Sequence, residues 1–243
     1  MNALNQTIDY IKKSLQDLPY DNDGIVHEED LFKHVPGWEA LPTPSQILSE
    51  MPSDVGYEVS ALVLGSYQPM KSPGIITLNM ANLYTFYWSV VRELCRILPR
   101  FSFSKQDLEW LVDFIVEKTW HHELFHHSME VLRRLINGQP FVPHEESVAV
   151  AYSRQCLREK SWNSKIGRLG KVMFNHAMDI AFHGYSFPYD DWPRYDSPEK
   201  LRSGIADLLQ PAQLVFLESS GVPVADVLAR LIPIQDGFHE RVI

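Results

Sequence analysis

The sequence predicts a single α+β domain, residues 1–243, that is mainly helical. Apolar residues recur at the three- and four-residue spacing of amphipathic helices through most of the chain, whereas segments rich in β-branched residues occur only upstream. No internal repeat or low-complexity linker interrupts the 243 residues. We therefore expect a small upstream sheet and a longer helical part that share one core.

Composition excludes several classes of protein. Hydrophobic residues make up 45% of the chain and aromatic residues 12%, which is typical of a folded globular protein. A net charge of −9 argues against nucleic acid and against an anionic membrane as the main partner. Cys95 and Cys156 both fall in predicted helices, and neither a signal peptide nor an apolar run of about 20 residues is recognisable. We expect a cytoplasmic protein with reduced thiols.

The upstream part is predicted to contain two strands among short helices. Apolar spacing indicates a first helix over residues 8–18, which ends before Pro19. The Thr43-Pro44-Ser45-Gln46 stretch is a capping box that opens a short helix. β-branched and apolar residues predict strands over residues 57–67 and 74–78, separated by a turn-forming stretch that contains two prolines.

The rest of the chain is predicted to be a series of helices. They cover residues 83–97, 104–137, 145–159, 166–183, 198–209 and 224–231. Ser104, followed three residues later by Asp107, is a strong start signal for the second of these helices. Residues 184–195 are rich in aromatic and turn-forming types, which predicts a structured loop.

The predicted helix 104–137 contains the pattern His122-Glu123-Leu124-Phe125-His126. His122 and His126 lie one turn apart and face inward with the apolar stripe, so they can supply two ligands to a tetrahedral zinc ion. Glu123 lies about 100° round the same helix, where it could take a proton from a metal-bound water. The pattern therefore predicts a hydrolytic metal site.

A third ligand is expected from the predicted helix 145–159. Glu145 lies at the centre of its apolar face, and a carboxylate aimed into an apolar face needs a positive partner. A metal held by His122 and His126 would be such a partner. Glu146, on the flank of that face, is the second candidate. The remaining candidates for this position are His144, His176 and His183.

The other histidines have less specific interpretations. His121 and His127 point away from the ligand face and are predicted to be solvated. His176 and His183 lie on the apolar stripe of their own helix, where a histidine is usually a satisfied core residue. A hydrolytic metal site also needs a donor to the oxyanion of its tetrahedral intermediate. The candidates for that donor are His176, His183, Tyr185 and Tyr189.

His-Glu-x-x-His followed by a helix that starts with glutamate resembles the zincin metallopeptidases, in particular the gluzincins. The resemblance implies a peptidase acting on a peptide or protein substrate with one Zn²⁺ per chain, bound by His122, His126 and Glu145, with Glu123 as general base. The eighteen residues between His126 and Glu145 match the aminopeptidase branch. The family also places an edge strand upstream that pairs with substrate, and residues 74–79 occupy that place. The resemblance covers residues 57–152.

The chain departs from this family in two ways. It lacks the Gly-Ala-Met-Glu-Asn exopeptidase signature, and Ala149 stands where thermolysin-like enzymes carry the aspartate that orients a ligand histidine. Either another residue such as Glu130 or a backbone carbonyl orients that histidine, or the metal affinity is reduced. Two alternatives stay open. The first is a helical di-metal carboxylate protein, for which Glu123-x-x-His126 is one half of the motif, with Glu93, Glu117 and His176-x-x-Asp179 as possible helpers. The second is an inactive zincin-like binding module.

Overall fold

The computed structural model describes residues 2–49, 63–68, 74–98, 101–135, 145–159, 170–209 and 239–242. The helices are α1 Ala3–Lys13, α2 Glu28–His34, α3 Pro44–Ser49, α4 Met80–Ile97, α5 Lys105–Leu135, α6 Glu145–Glu159, α7 Gly170–Ala181 and α8 Pro198–Asp207. The strands are β1 Ile25–His27, β2 Gly65–Gln68, β3 Ile75–Leu78, β4 Ser102–Ser104 and β5 His239–Val242. The chain is thus mainly helical with a minor strand content, as predicted.

The longest described helix is α5, and α1, α4 and α6 pack along it. It begins as predicted: Ser104 N donates to Asp107 Oδ2 at 2.9 Å, and Asp107 N donates to Ser104 Oγ at 3.1 Å. This reciprocal cap satisfies backbone donors that the first turn would otherwise leave unpaired. With 31 residues, α5 extends for about 46 Å and crosses the whole hydrophobic core.

Buried apolar residues form two clusters along α5. The first surrounds the N-terminal part of α5 and contains the buried faces of α1, α4 and α7. The second joins the C-terminal part of α5 to α6 and α8, and includes Phe125, Met129 and Leu132. Leu124 belongs to the first cluster and Phe125 to the second. The His-Glu-x-x-His segment therefore lies where the two clusters meet.

A three-stranded sheet of order β2-β3-β5 lies beside α5, and a separate antiparallel pair is formed by β1 and β4. β2 is antiparallel and β5 parallel to β3. The strand expected at the edge, residues 74–79, is instead the middle strand of the described sheet, because β5 pairs with its second side. Among the described strands of this sheet, β2 lies at an edge and contacts α5.

Gly65 sets how closely β2 approaches α5. A Cβ atom at this position would lie 2.7 Å from Thr119 Cγ2 and 3.1 Å from Glu123 Oε1. Contacts under 3.0 Å do not occur between real side-chain carbons, so a larger residue would push the strand away. Glycine at this position lets the strand backbone lie directly against Glu123.

The apolar spacing of the first helix outlasts the helix itself. The helix was expected to reach residue 18 but ends at Lys13, where Ser14 Oγ donates to the Ile11 carbonyl at 2.7 Å. Leu15 and Leu18 are still buried, because the turn after the helix keeps them on the same side. Apolar periodicity therefore predicts burial here better than it predicts the helix end.

Short elements account for the other differences. β1, α2, β4 and β5 have too few residues to show a period and were not predicted. The expected helix 224–231, the start of the strand 57–67 and the end of the helix 104–137 lie outside the described residues. None of the described helices combines the length and the apolar character that crossing a bilayer requires.

Candidate metal centre

Three side chains from α5 and α6 bring possible ligand atoms together. His122 Nε2 lies 3.0 Å from Glu146 Oε2, His126 Nε2 lies 3.2 Å from the same oxygen, and the two Nε2 atoms are 3.2 Å apart. The two histidines come from successive turns of α5, as their spacing predicts, and Glu146 comes from the first turn of α6. Within the described part of the chain, this group can hold a metal ion.

The spacing of these atoms fits zinc. Tetrahedral zinc binds imidazole nitrogen and carboxylate oxygen at about 2.0–2.2 Å, which places neighbouring ligand atoms about 3.3–3.5 Å apart. The observed separations of 3.0 to 3.2 Å differ from that by a few tenths of an ångström. Two imidazoles with one carboxylate favour zinc or another transition metal over Mg²⁺ or Ca²⁺, which prefer oxygen ligands throughout.

The carboxylate of the group is that of Glu146, the second candidate from the sequence, and not that of Glu145. Glu145 does lie on the buried face of α6, and only 1% of its side chain is exposed. Its positive partner, however, is Arg133 of α5, whose Nη2 donates to Glu145 Oε2. The buried carboxylate is thus neutralised by a guanidinium, which removes the reason for expecting a metal at Glu145.

Glu145 contacts the site through His126. Its Oε1 atom lies 2.8 Å from His126 Nδ1, and because an ionised carboxylate can only accept, Nδ1 is the protonated nitrogen in this pair. Nε2 of His126 is then the nitrogen that faces His122 and Glu146, and it would offer its lone pair to a bound ion. Glu145 therefore performs the orienting task that the sequence left to Glu130 or a backbone carbonyl, and Arg133 fixes Glu145 in place.

The charges of the cluster favour a cation between its side chains. Burial lowers the pKa of His126, but Glu146 and Glu145 outweigh it and raise that pKa well above its usual value. Burial raises the pKa of Glu146, yet His126 and His122 hold it well below its usual range. Burial lowers the pKa of His122, although Glu146 opposes this, so its imidazole is neutral and offers a lone pair.

Glu123 lies beside the cluster and is 5% exposed. Burial raises the pKa of its carboxyl group to about 8, even though His126 and Lys118 act in the opposite direction. Its side chain packs against Gly65 of β2, which holds it on the sheet side of α5. A carboxyl group with a pKa near neutrality can both accept and release a proton at physiological pH.

Two tyrosines of the loop after α7 form a wall beside the cluster. The ring of Tyr189 lies 5.9 Å from the ring of His122, and the ring of Tyr185 lies 5.7 Å from that of Tyr189. Of the four side chains considered as oxyanion donors, these two are the ones brought to the site. His183 is exposed and His176 half-buried on α7, and neither belongs to the metal-binding group.

This loop is attached to two other elements. Ser147 Oγ of α6 donates to the Pro188 carbonyl at 2.7 Å, and Ser186 Oγ donates to the Ser49 carbonyl at the end of α3. Gly184 has a positive φ of 91° and lies so close to Ser45 that a Cβ atom would be 2.4 Å from the Ser45 Cβ. The wall is therefore fixed relative to the helix that supplies Glu146.

The flanking histidines are less solvated than expected. His127 is 5% exposed and packs edge-on against Tyr67 of β2 at 5.7 Å, so the prediction of a solvated side chain is wrong for this residue. Glu130 accepts a hydrogen bond from the Tyr67 hydroxyl and thus joins α5 to the sheet. His121 is half-buried. His127 and Glu130 thus attach β2 to α5, and neither they nor His121 belong to the metal-binding group.

Two charged residues of α5 next to the site were not singled out in the sequence. Lys118 precedes His122 by one turn, and the i, i+4 rule that found His126 would also have placed Lys118 on that face. Arg133 follows His126 by two turns and lies on the same side of α5. Its pairing with Glu145 depends on how α5 and α6 approach each other, which the sequence pattern does not contain.

Comparison with protein-family models, with curated proteins and with solved structures gives no significant match.

Proposed function

We propose that this protein is a zinc-dependent hydrolase that cleaves peptide bonds. The observation that carries the proposal is the convergence of His122 Nε2, His126 Nε2 and Glu146 Oε2 at separations of 3.0 to 3.2 Å. Glu123 from the same helix lies beside them, buried, with a pKa raised to about 8. Two imidazoles, one carboxylate ligand and an adjacent carboxylate base form the donor set of a hydrolytic zinc site.

The residues of the cluster would divide the chemistry as follows. A zinc ion bound there would polarise a substrate carbonyl and lower the pKa of a water molecule toward about 7. Glu123 would take the proton of that water and pass it to the leaving amine. Glu145 would keep the Nε2 lone pair of His126 directed at the ion.

The position of β2 supports a peptide as the substrate class. β2 pairs with β3 along one side, and among the described strands no other pairs with its second side. An extended peptide can add to such an edge through main-chain hydrogen bonds. Because Gly65 brings β2 into contact with Glu123, a peptide on this edge would pass close to the proposed base.

Replacement of Glu123 by glutamine tests the proposal. We expect Glu123→Gln to bind one zinc per chain, as the unchanged protein does, but to lose at least about a hundred-fold in peptide hydrolysis, because glutamine cannot accept the proton. Hydrolysis would be measured with a mixture of fluorogenic peptides, with and without chelator. Glu109→Gln, at the exposed start of α5, is the matched control and should retain full activity.

Two outcomes would contradict the proposed hydrolase, and the second would favour the inactive binding module. Activity that survives both Glu123→Gln and chelation would remove Glu123 and the metal from the reaction. Zinc binding without any hydrolysis by the unchanged protein would favour a binding module that has lost the enzymatic step.

The di-metal alternative receives no support from the described residues. Its proposed helper Glu93 pairs with Arg96 on α4 at 3.4 Å and is not part of the cluster. His176 and Asp179 of α7 are likewise outside the group of possible ligands. Within the described ranges, the cluster supplies the three protein ligands of one ion, whereas a di-metal carboxylate site uses about six.

A further inference from the structure

Lys118 is a buried amine next to the proposed metal site. It lies on α5 one turn before His122, and 4% of the residue is exposed. Its Nζ atom lies over three aromatic rings, 5.3 Å from Phe86, 5.4 Å from Phe182 and 5.3 Å from Tyr185. One ring comes from α4 and two come from the segment that follows α7. Two separate parts of the chain therefore surround this one amine.

The described part of the chain gives Lys118 no carboxylate within ion-pair distance and no hydrogen-bond acceptor. The exposed lysines Lys33 and Lys105 each pair with an acidic residue, and so does the partly exposed Lys12. Burial lowers the pKa of Lys118 to about 7, and the negative charge of Glu123 only partly opposes this. Ring faces attract an ammonium group less strongly than a carboxylate does. A buried lysine without an anion has an unused capacity to bind one.

Tyr185 and Tyr189 add two donors to the same space. Within the described ranges neither hydroxyl has an acceptor, and neither belongs to the fully enclosed polar atoms without a partner. Burial raises the pKa of both tyrosines, and Glu146 and Glu123 add to the effect, so both hydroxyls stay protonated. The Tyr185 ring contacts the Lys118 amine, and the Tyr189 ring contacts the His122 ring. The two tyrosines therefore link Lys118 by contacts to the group formed by His122, His126 and Glu146.

We propose that Lys118, Tyr185 and Tyr189 form a carboxylate-binding subsite, which recognises a free carboxylate of the substrate beside the bond to be cleaved. The inference rests on the proposed hydrolytic function of the neighbouring cluster. One ammonium group with two hydroxyl donors matches the single charge of a carboxylate. A phosphate dianion usually requires more cations than the one found here.

The distance along α5 sets where that carboxylate lies in the substrate. Lys118 and His122 are separated by four residues, a rise of about 6 Å. An extended peptide advances about 3.3–3.6 Å per residue. The subsite therefore favours a carboxylate one or two residues from the scissile bond, either a chain terminus or an acidic side chain.

Titration calorimetry with two matched pairs of short peptides tests the subsite. The first pair is N-acetyl-dialanine and its C-terminal amide, and the second pair is acetyl-alanyl-aspartyl amide and its asparaginyl counterpart. We expect the unchanged protein to bind the charged member of at least one pair about ten-fold more tightly than the neutral member. Preference in the first pair identifies a chain terminus, and preference in the second identifies an acidic side chain.

Lys118→Met should abolish that preference, while Lys105→Met, the same change at the exposed start of α5, should retain it. Tyr185→Phe keeps the ring over Lys118 but removes a hydroxyl, so it should weaken the preference even if Lys118→Met does not fold.

Each titration is run with added zinc and with chelator. The same instrument measures zinc stoichiometry separately, so a protein that binds no zinc would contradict the proposed function without deciding the subsite. Equal binding within both pairs under both conditions would overturn the subsite, as would a preference that persists in the folded Lys118→Met and Tyr185→Phe proteins.

Discussion

Glu145 and Glu146 are neighbours in sequence but have different tasks at the start of α6. They differ by about 100° in direction on the helix, so the first points toward Arg133 and the second toward His122. Glu145 orients His126 through Nδ1, and Glu146 approaches both Nε2 atoms. Exchange of these two roles would require the helix to rotate, so the two carboxylates do not substitute for each other.

Replacement of Glu145 should weaken both the fold and the metal site. In Glu145→Gln, the guanidinium of Arg133, whose side chain is 7% exposed, loses its carboxylate, which should reduce the free energy of unfolding by about 3 kcal/mol. Loss of the carboxylate that orients His126 should lower zinc affinity about 10- to 100-fold. Urea denaturation in chelator and zinc titration measure the two effects.

The double variant Arg133→Met with Glu145→Gln is the control for this prediction. It removes the unpaired guanidinium and should recover most of the lost stability without recovering zinc affinity. If Glu145→Gln matched the unchanged protein in both measurements, the pairing of Glu145 with Arg133 and His126 would have no energetic importance.

Because of Lys118, the free energy of unfolding of the metal-free protein should depend on pH above pH 7. The folded protein releases this proton near pH 7, whereas the unfolded chain retains it until about pH 10.5, so the unfolded state binds more protons between those values. The free energy of unfolding should therefore rise from pH 7 toward pH 10, with a slope of up to about 1.4 kcal/mol per pH unit from this residue.

Lys118→Met should remove this contribution to the slope and be more stable than the unchanged protein at pH 7. The groups that act on the amine are Glu123 and His122 of its own helix and the rings of Phe86, Phe182 and Tyr185. Denaturation at pH 7, 8 and 9 in chelator gives the slopes. Equal slopes for the two proteins would show that folding does not lower the pKa of Lys118.

At the scale of elements, the features that could be predicted from the sequence are those that the local geometry of one helix determines. The i, i+4 spacing of His122 and His126 places them on one face of α5 whatever surrounds it, and the Ser104–Asp107 cap is likewise a local structure. The choice between Glu145 and Glu146 depended on the angle at which α6 meets α5 and on Arg133. That angle results from packing in the second cluster, around Phe125 and Met129, which periodicity does not reveal.

The approach of β2 to α5 gives a prediction at the same scale. Gly65→Ala should move the strand away from Glu123, because the new Cβ atom would lie 2.7 Å from Thr119 Cγ2. Peptide hydrolysis should fall about ten-fold or more while zinc content stays at one per chain, since misplacement of about an ångström next to reacting groups is costly. The fluorogenic peptides and elemental analysis provide the two readouts.

Thr119→Ser removes the methyl group that Gly65→Ala would meet first. The double variant should therefore recover part of the lost activity, whereas Thr119→Ser alone should change little. Full activity in Gly65→Ala would show that the contact between strand and helix does not position Glu123.

At the scale of the whole molecule, the metal site lies between two hydrophobic clusters that form without it. The first cluster and the second contain large buried residues such as Trp88 and Phe125, and neither depends on a ligand of the site. Chelation should leave the far-ultraviolet circular dichroism unchanged. Zinc at about a hundred times its Kd should raise the free energy of unfolding by about 2.7 kcal/mol and Tm by several degrees. Loss of helicity on chelation would make the metal structural.

The most direct test of the account is the zinc content of three purified proteins after dialysis. For the unchanged chain we predict one zinc per molecule by elemental analysis, and for Glu145→Gln one zinc when the metal is supplied above its weakened Kd. Glu146→Gln, which replaces the charged carboxylate ligand by a neutral amide, should lose the ion under the same conditions. An unchanged chain that retains no zinc, or a Glu146→Gln chain that binds zinc as tightly as the unchanged one, would contradict the assignment of His122, His126 and Glu146 as a metal centre.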